Sequence, residues 1–208
     1  MSMRFDSISV LGSSSRRAWL GGLAVAAMAW GCAPSDKPVP HSLDITGAAY
    51  GKDFSLTDAQ GQARTLADFR GKVVLLFFGF TQCPDVCPTA LAVAVEALQS
   101  LGADASKVQV LFVSLDPERD TPAILQAYVS SFHPSFIGLS ADLPHTQKTA
   151  EHFKVFFRKV QQGGSYTLEH TAITYVFDPT GQLRLAFRAG QPALSLADDV
   201  RQLLAAQR

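Results

Sequence analysis

The chain has 208 residues, room for one domain of ordinary size or two very small ones, and 47% hydrophobic against 17% charged residues excludes a disordered polypeptide. The 18 Lys+Arg balance 18 Asp+Glu, so no basic excess exists to neutralise phosphates and nucleic-acid binding is disfavoured. The 3 cysteines are too few for a disulfide scaffold, and their positions matter more than their number.

Residues 1–31 read as a signal peptide. Ser15-Arg16-Arg17-Ala18-Trp19-Leu20 looks like a twin-arginine export signature, and Ala18 to Gly31 is apolar and uncharged. That run is short of the about twenty residues a bilayer span needs, which suits a signal peptide; a short uncleaved anchor is the alternative. In both cases the positive charge precedes the apolar run, so the remainder is expected outside the cytoplasm. Ala29-Trp30-Gly31-Cys32 resembles a bacterial lipobox, with Ala29 where Leu is usual and a bulky Trp30. The expectation is a lipidated Cys32 that tethers the protein to the membrane on its extracytoplasmic side; simple cleavage nearby is the other reading. Loss of Arg4, Arg16, Arg17 and Asp6 leaves a weakly acidic chain with no pull toward anionic lipid or nucleic acid.

Residues 32–49 carry Pro34, Pro38, Pro40 and Gly47 and read as a tether. As a flexible coil they would span about 23 Å. From Tyr50 strands and helices alternate. Phe54 to Thr57 and Ala63 to Leu66 flank Asp58-Ala59-Gln60-Gly61, a hairpin signal. Lys72 to Phe80 is a nearly continuous apolar run, expected of a strand buried on both faces. A helix is predicted from Pro88 to Ser100 with Gly102 just beyond its end, and a second buried strand from Val108 to Leu115. Thr121-Pro122 opens a helix through Phe132. A short strand at Phe136 to Leu139, a helix at Leu143 to Phe153, strands at Thr174 to Phe177 and Leu183 to Phe187 around Asp178-Pro179-Thr180-Gly181, and a helix from Ser195 to Ala206 complete the chain. This order is that of one α/β domain, residues 50–208, with a thioredoxin-like fold and an extra N-terminal β-hairpin. In such sheets ligands sit beyond the carboxyl ends of the central strands, here Gly79 to Cys87 and Asp116 to Asp120.

Cys83 and Cys87 are spaced i, i+4, so in a helical first turn their sulfurs would share one face. A helix N-terminus favours the thiolate, the form that binds metal or attacks disulfides. Two buried structural cysteines are the bland alternative, which the prolines and aspartate around them argue against. A structural zinc site would want four ligands, and no second cysteine pair supplies them.

The motifs FFGFTQCPDVCP (Phe77 to Pro88), VSLDPERDTP (Val113 to Pro122) and YTLEHTA (Tyr166 to Ala172), in that order, closely resemble the Sco/SenC family over roughly residues 45 to 205. The resemblance implies a membrane-tethered, thioredoxin-like copper protein that assists assembly of the copper centre of cytochrome c oxidase. It implies that Cys83, Cys87 and His170 bind copper, with Glu169 where the family usually has Asp. The expected partners are the copper-binding subunit of the oxidase and another copper carrier. Two soft thiolates suit Cu(I), and an added imidazole admits Cu(II). His170 is expected in the loop where thioredoxins keep a cis-proline, yet no proline occupies residues 167 to 173, which favours metal binding over disulfide exchange. The alternative function is a thiol–disulfide reductase, with Cys83 and Cys87 redox-active, that keeps oxidase cysteines reduced. Asp85 and Asp116 are candidates to act from behind the ligands, with Asp120 near them; each could equally cap a helix or turn. His41, His133, His145 and His152 read as structural or solvated, and Phe77-Phe78 and Phe156-Phe157 as core.

Overall fold

The structure is a computed structural model that describes residues 39–206. The export signature, the lipobox with Cys32 and the first part of the tether lie outside the described residues. In chain order the elements are β1 (Leu43–Asp44), β2 (Leu56–Asp58), β3 (Ala63–Arg64), β4 (Val73–Gly79), α1 (Val86–Leu101), β5 (Val108–Ser114), α2 (Pro122–Phe132), β6 (Ile137–Ser140), α3 (Leu143–His152), β7 (Phe157–Gln162), β8 (Ser165–His170), β9 (Ile173–Phe177), β10 (Leu183–Arg188) and α4 (Ala193–Ala205). Eight strands form one sheet in the order β1-β10-β9-β4-β5-β6-β2-β3, and β7 and β8 pair apart from it. The domain is thioredoxin-like, with the expected hairpin, β2 and β3, added at one edge of the sheet.

All seven residues of β4 and all seven of β5 are buried, which is why both read as unbroken apolar runs. They pair in parallel from Val73↔Val108 to Gly79↔Ser114, with α1 as the crossover. On its other side β4 meets β9 antiparallel. These central strands end at Gly79 and Ser114, so the loops that follow leave the sheet side by side. The helices start and stop where their caps say. Thr121 accepts a hydrogen bond from the Ile124 N–H at the start of α2, Asp142 accepts one from the His145 N–H at the start of α3, and α1 stops at Gly102, whose φ of 59° lies in the left-handed region.

The two hairpins that flank the sheet share a turn. Asp58-Ala59-Gln60-Gly61-Gln62-Ala63-Arg64 and Asp178-Pro179-Thr180-Gly181-Gln182-Leu183-Arg184 have Asp, Gly, Gln and Arg at matching places. In each, Oδ1 of the aspartate accepts the backbone N–H groups two and four residues on, and Oδ2 takes the arginine. Gly61 and Gly181 have φ near +80°, as this turn requires.

Three expectations need correction. The stretch up to residue 49 is not all tether: Ser42 is buried, β1 pairs with β10, and the carboxylate of the fully buried Asp199 on α4 accepts hydrogen bonds from His41 N–H, Ser42 N–H and the Ser42 hydroxyl. A buried charge needs such donors, and this segment supplies them. Phe156 is not core; it is 61% exposed, whereas Phe77 and Phe78 are buried. His170 does not lie in a loop. It is the last residue of β8 in the separate hairpin, which the sequence reading left out.

Candidate metal centre

The loop from β4 to α1 brings both thiols to one place. Phe80 is buried at its start, and the Cys83 N–H donates to the Phe80 carbonyl, which turns the chain back. Helix α1 begins at Val86, earlier than expected, so Cys87 sits in its first turn and Cys83 precedes it. The sulfurs therefore meet across the helix N-terminus and are not stacked along one helical face. Cys87 is fully buried, and Cys83 is half-buried.

His170 arrives from the far side, carried by β8. Its Nε2 lies 3.4 Å from Cys87 Sγ. Its Nδ1 lies 3.0 Å from the Thr171 backbone oxygen, an acceptor only, so Nδ1 is the donor there and Nε2 is the ring nitrogen turned toward the sulfurs. The imidazole is held edge-on by Phe77 and Phe80, with ring centroids at 6.0 and 5.9 Å. The donor atoms of Cys83, Cys87 and His170 all lie within 4.8 Å of one another, and among the described residues no other trio of metal-binding side chains gathers this way.

The two thiols differ sharply. The Cys83 thiol is pulled down to about 5, chiefly because the Cys87 S–H donates to its thiolate. Burial opposes this, while the backbone N–H groups of Asp85 and Cys87 and the imidazole of His170 assist. The proton stays on Cys87, held up by its interaction with Cys83 and by burial. One thiolate beside one thiol is a ready acceptor for a soft cation, which displaces the remaining proton.

Three aspartates near the site do different things. Asp85 precedes α1 but is exposed, and its side chain reaches only the Thr89 hydroxyl, at 3.5 Å. Asp120 is buried and accepts from the Thr81 N–H, the Thr81 hydroxyl and the Ser114 hydroxyl, so it braces the loop that leads to Cys83. Burial pushes its carboxyl above the ordinary range despite those bonds. Asp116 is also buried, and takes the Tyr166 hydroxyl at 2.8 Å and the Arg119 Nε. Arg119 and Tyr166 were not singled out from sequence; nothing in DPERD separates this arginine from a solvated one. His41, His133, His145 and His152 stay away from the cluster.

A thioredoxin-like sheet whose β4–α1 connection sets two thiols against an imidazole from a separate hairpin defines a thioredoxin-like protein with a soft-metal donor set. The profile of the family described as SCO1/SenC matches residues 44–205, and the chain belongs to that family. Bovine (Bos taurus) mitochondrial SCO2 homologue is 37% identical over 166 residues, which cover 77% of this chain and 62% of that protein. The structure of Bradyrhizobium japonicum ScoI with copper bound is 43% identical, with a TM-score of 0.69 over 75% of this chain and 100% of that one. Yeast Sco1 with copper bound is 32% identical, with a TM-score of 0.66 over 74% of this chain and 87% of that one.

Proposed function

We propose that this protein binds copper through Cys83, Cys87 and His170 and carries it to the copper-binding subunit of cytochrome c oxidase. The observation that carries the reading is the approach of Cys87 Sγ to His170 Nε2 at 3.4 Å, within a trio whose donors span no more than 4.8 Å. Two sulfurs suit Cu(I), the imidazole adds a donor fit for Cu(II), and tetrahedral structural zinc would want a fourth ligand. The copper-bound relatives support the same cargo. Copper here is cargo: half-buried Cys83 gives a recipient's ligand a way in, while buried Cys87 and the ring-flanked His170 hold the other side. Exchange of one ligand at a time is how a three-coordinate site can hand its ion on. An exported protein tethered through a lipidated Cys32 places that exchange on the extracytoplasmic side of the membrane.

The lowered Cys83 thiol also favours a second reading, a thiol–disulfide reductase that keeps the oxidase subunit's cysteines reduced. The two part company at His170, which only the carrier needs. His170→Ala should retain Cu(I) on the two thiolates and lose the Cu(II) form. In cells that carry only this variant, with copper kept low, the carrier reading expects oxidase activity to fall to the level of a deletion. Full activity there would replace the carrier with the reductase.

A further inference from the structure

The hairpin of β7 and β8 stands outside the eight-stranded sheet, so sheet hydrogen bonds do not set where its last residue, His170, comes to rest. At that end Thr171 N–H donates to the Phe156 carbonyl, and Phe156 N–H to the Thr171 hydroxyl. Nearer the turn, the Lys159–Glu118 ion pair and Arg119 attach the hairpin, and Arg119 alone of these also reaches the loop of Cys83. Its Nε donates to Asp116. Its Nη1 donates to the Tyr166 carbonyl on β8 at 2.8 Å and to Gln82 Oε1, next to Cys83, at 3.1 Å. The guanidinium also lies 3.7 Å from the centroid of the Tyr166 ring and 6.0 Å from that of Phe80, the same ring that meets His170 edge-on. Tyr166 closes the circuit, because its hydroxyl donates to the other oxygen of Asp116.

We propose that Arg119 is a positioning residue: its planar fork ties the hairpin that carries His170 to the loop that carries Cys83, and so sets the imidazole-to-sulfur spacing that Cu(II) binding needs. This rests on the copper reading of the site. Three features of the arginine are required together. Its permanent charge pairs with a carboxylate that is itself fully buried, with Asp116 at 0% and Arg119 at 16% side-chain exposure. Its fork reaches three acceptors on three segments at once, a geometry that an ammonium on a flexible stem does not reproduce. Its flat face stacks on Tyr166. A lysine supplies the first feature only.

The test compares the full chain with its Arg119→Ala, Arg119→Lys and Tyr166→Phe variants in two measurements. Amide hydrogen exchange of the metal-free chains reads the latch without copper. Arg119→Ala should speed exchange of the β7 and β8 amides about ten- to a hundredfold, the loss of one or two charge-assisted hydrogen bonds, with β4, β5 and β9 unchanged. The electron paramagnetic resonance spectrum of the chains with added Cu(II) should lose its nitrogen coupling in the same variant, while Cu(I) competition stays at the parental value. Arg119→Lys should fail to restore either property, and Tyr166→Phe should lie between parent and Arg119→Ala. Parental hairpin exchange, full rescue by lysine, or a loosened hairpin with an unaltered Cu(II) spectrum would each overturn the proposal. If Arg119→Ala loosens the whole domain, Tyr166→Phe decides: a local change supports the latch and parental behaviour overturns it. A parent chain that takes up no copper would sink the copper reading instead, an outcome visible before any variant is compared.

Discussion

The sulfur of Cys87 occupies the space that a side chain on Gly79 would need: a β-carbon built there lies 2.8 Å from Cys87 Sγ and 2.8 Å from Cζ of Phe112. Gly79 is the last residue of β4, and its carbonyl accepts the Leu115 N–H at 2.7 Å, so the strand cannot easily yield. Gly79→Ala should therefore push the sulfur away from His170. Overpacking of this kind costs about 1–3 kcal/mol. Urea unfolding should show that loss, and Cu(I) competition should show weakened binding beyond what the stability change explains.

Cys83 should be the reactive thiol. Because its folded value sits near 5 while the Cys87 proton is held, Cys83 is a thiolate at neutral pH and Cys87 is a buried thiol. Iodoacetamide should label Cys83 first in the metal-free chain, and the rate should fall as pH drops through about 5. Mass spectrometry of the labelled peptides checks both the site and the profile. Equal labelling of the two cysteines would contradict the asymmetry.

The paired aspartate turns predict an acid-sensitive component of stability. Burial pushes Asp58 and Asp178 up, but the turn's backbone donors and Arg64 or Arg184 outweigh it and hold both below the usual carboxylate range. A folded value below the unfolded one, about 3.9, contributes stability that is complete above the unfolded value and is lost as pH falls through the folded one. Asp178→Asn should cost about 1–3 kcal/mol near neutrality, the worth of hydrogen bonds to a charged group. The gap between variant and parent in urea midpoint should close as the solution is acidified below about pH 4.

Membrane attachment through Cys32 has a direct check. Cys32→Ser removes the sulfur that would carry acyl chains, so the protein should move from the membrane to the soluble exported fraction. Unchanged retention would favour an uncleaved N-terminal anchor.

Strands buried on both faces and helices with clear caps were legible in the sequence because each carries its own signal: β4 in its apolar run, α2 in Thr121-Pro122, α1 in Gly102 at its end. Cys83, Cys87 and His170 stood out through motif spacing, not through any local physical pattern around His170. The hairpin that presents His170 was missed because Phe157-Arg158-Lys159-Val160-Gln161-Gln162 has no buried face, and of its partner strand only Leu168 is buried. Alternation cannot reveal a strand that is wet on both sides. The available signal was Gly163-Gly164, a two-residue turn between Gln162 and Ser165, with Gly163 at φ 60°. Gly79 had a signal too, a glycine inside a strand, which often marks a close approach. Arg119 had none, since its partners come from residues 82, 116 and 166 and only the folded chain assembles them.

The clasp between Asp199 and the segment before β1 decides where a shortened version of this protein can begin. The family match starts at residue 44, and a fragment cut there would remove His41 and Ser42, the source of all three hydrogen bonds recorded to that carboxylate. What remained would be a carboxylate on α4 stripped of those donors and of the segment that covers it, a loss on the order of 1–3 kcal/mol. A workable fragment has to start upstream of His41, so the boundary of the folding unit is drawn by a carboxylate at the opposite end of the chain.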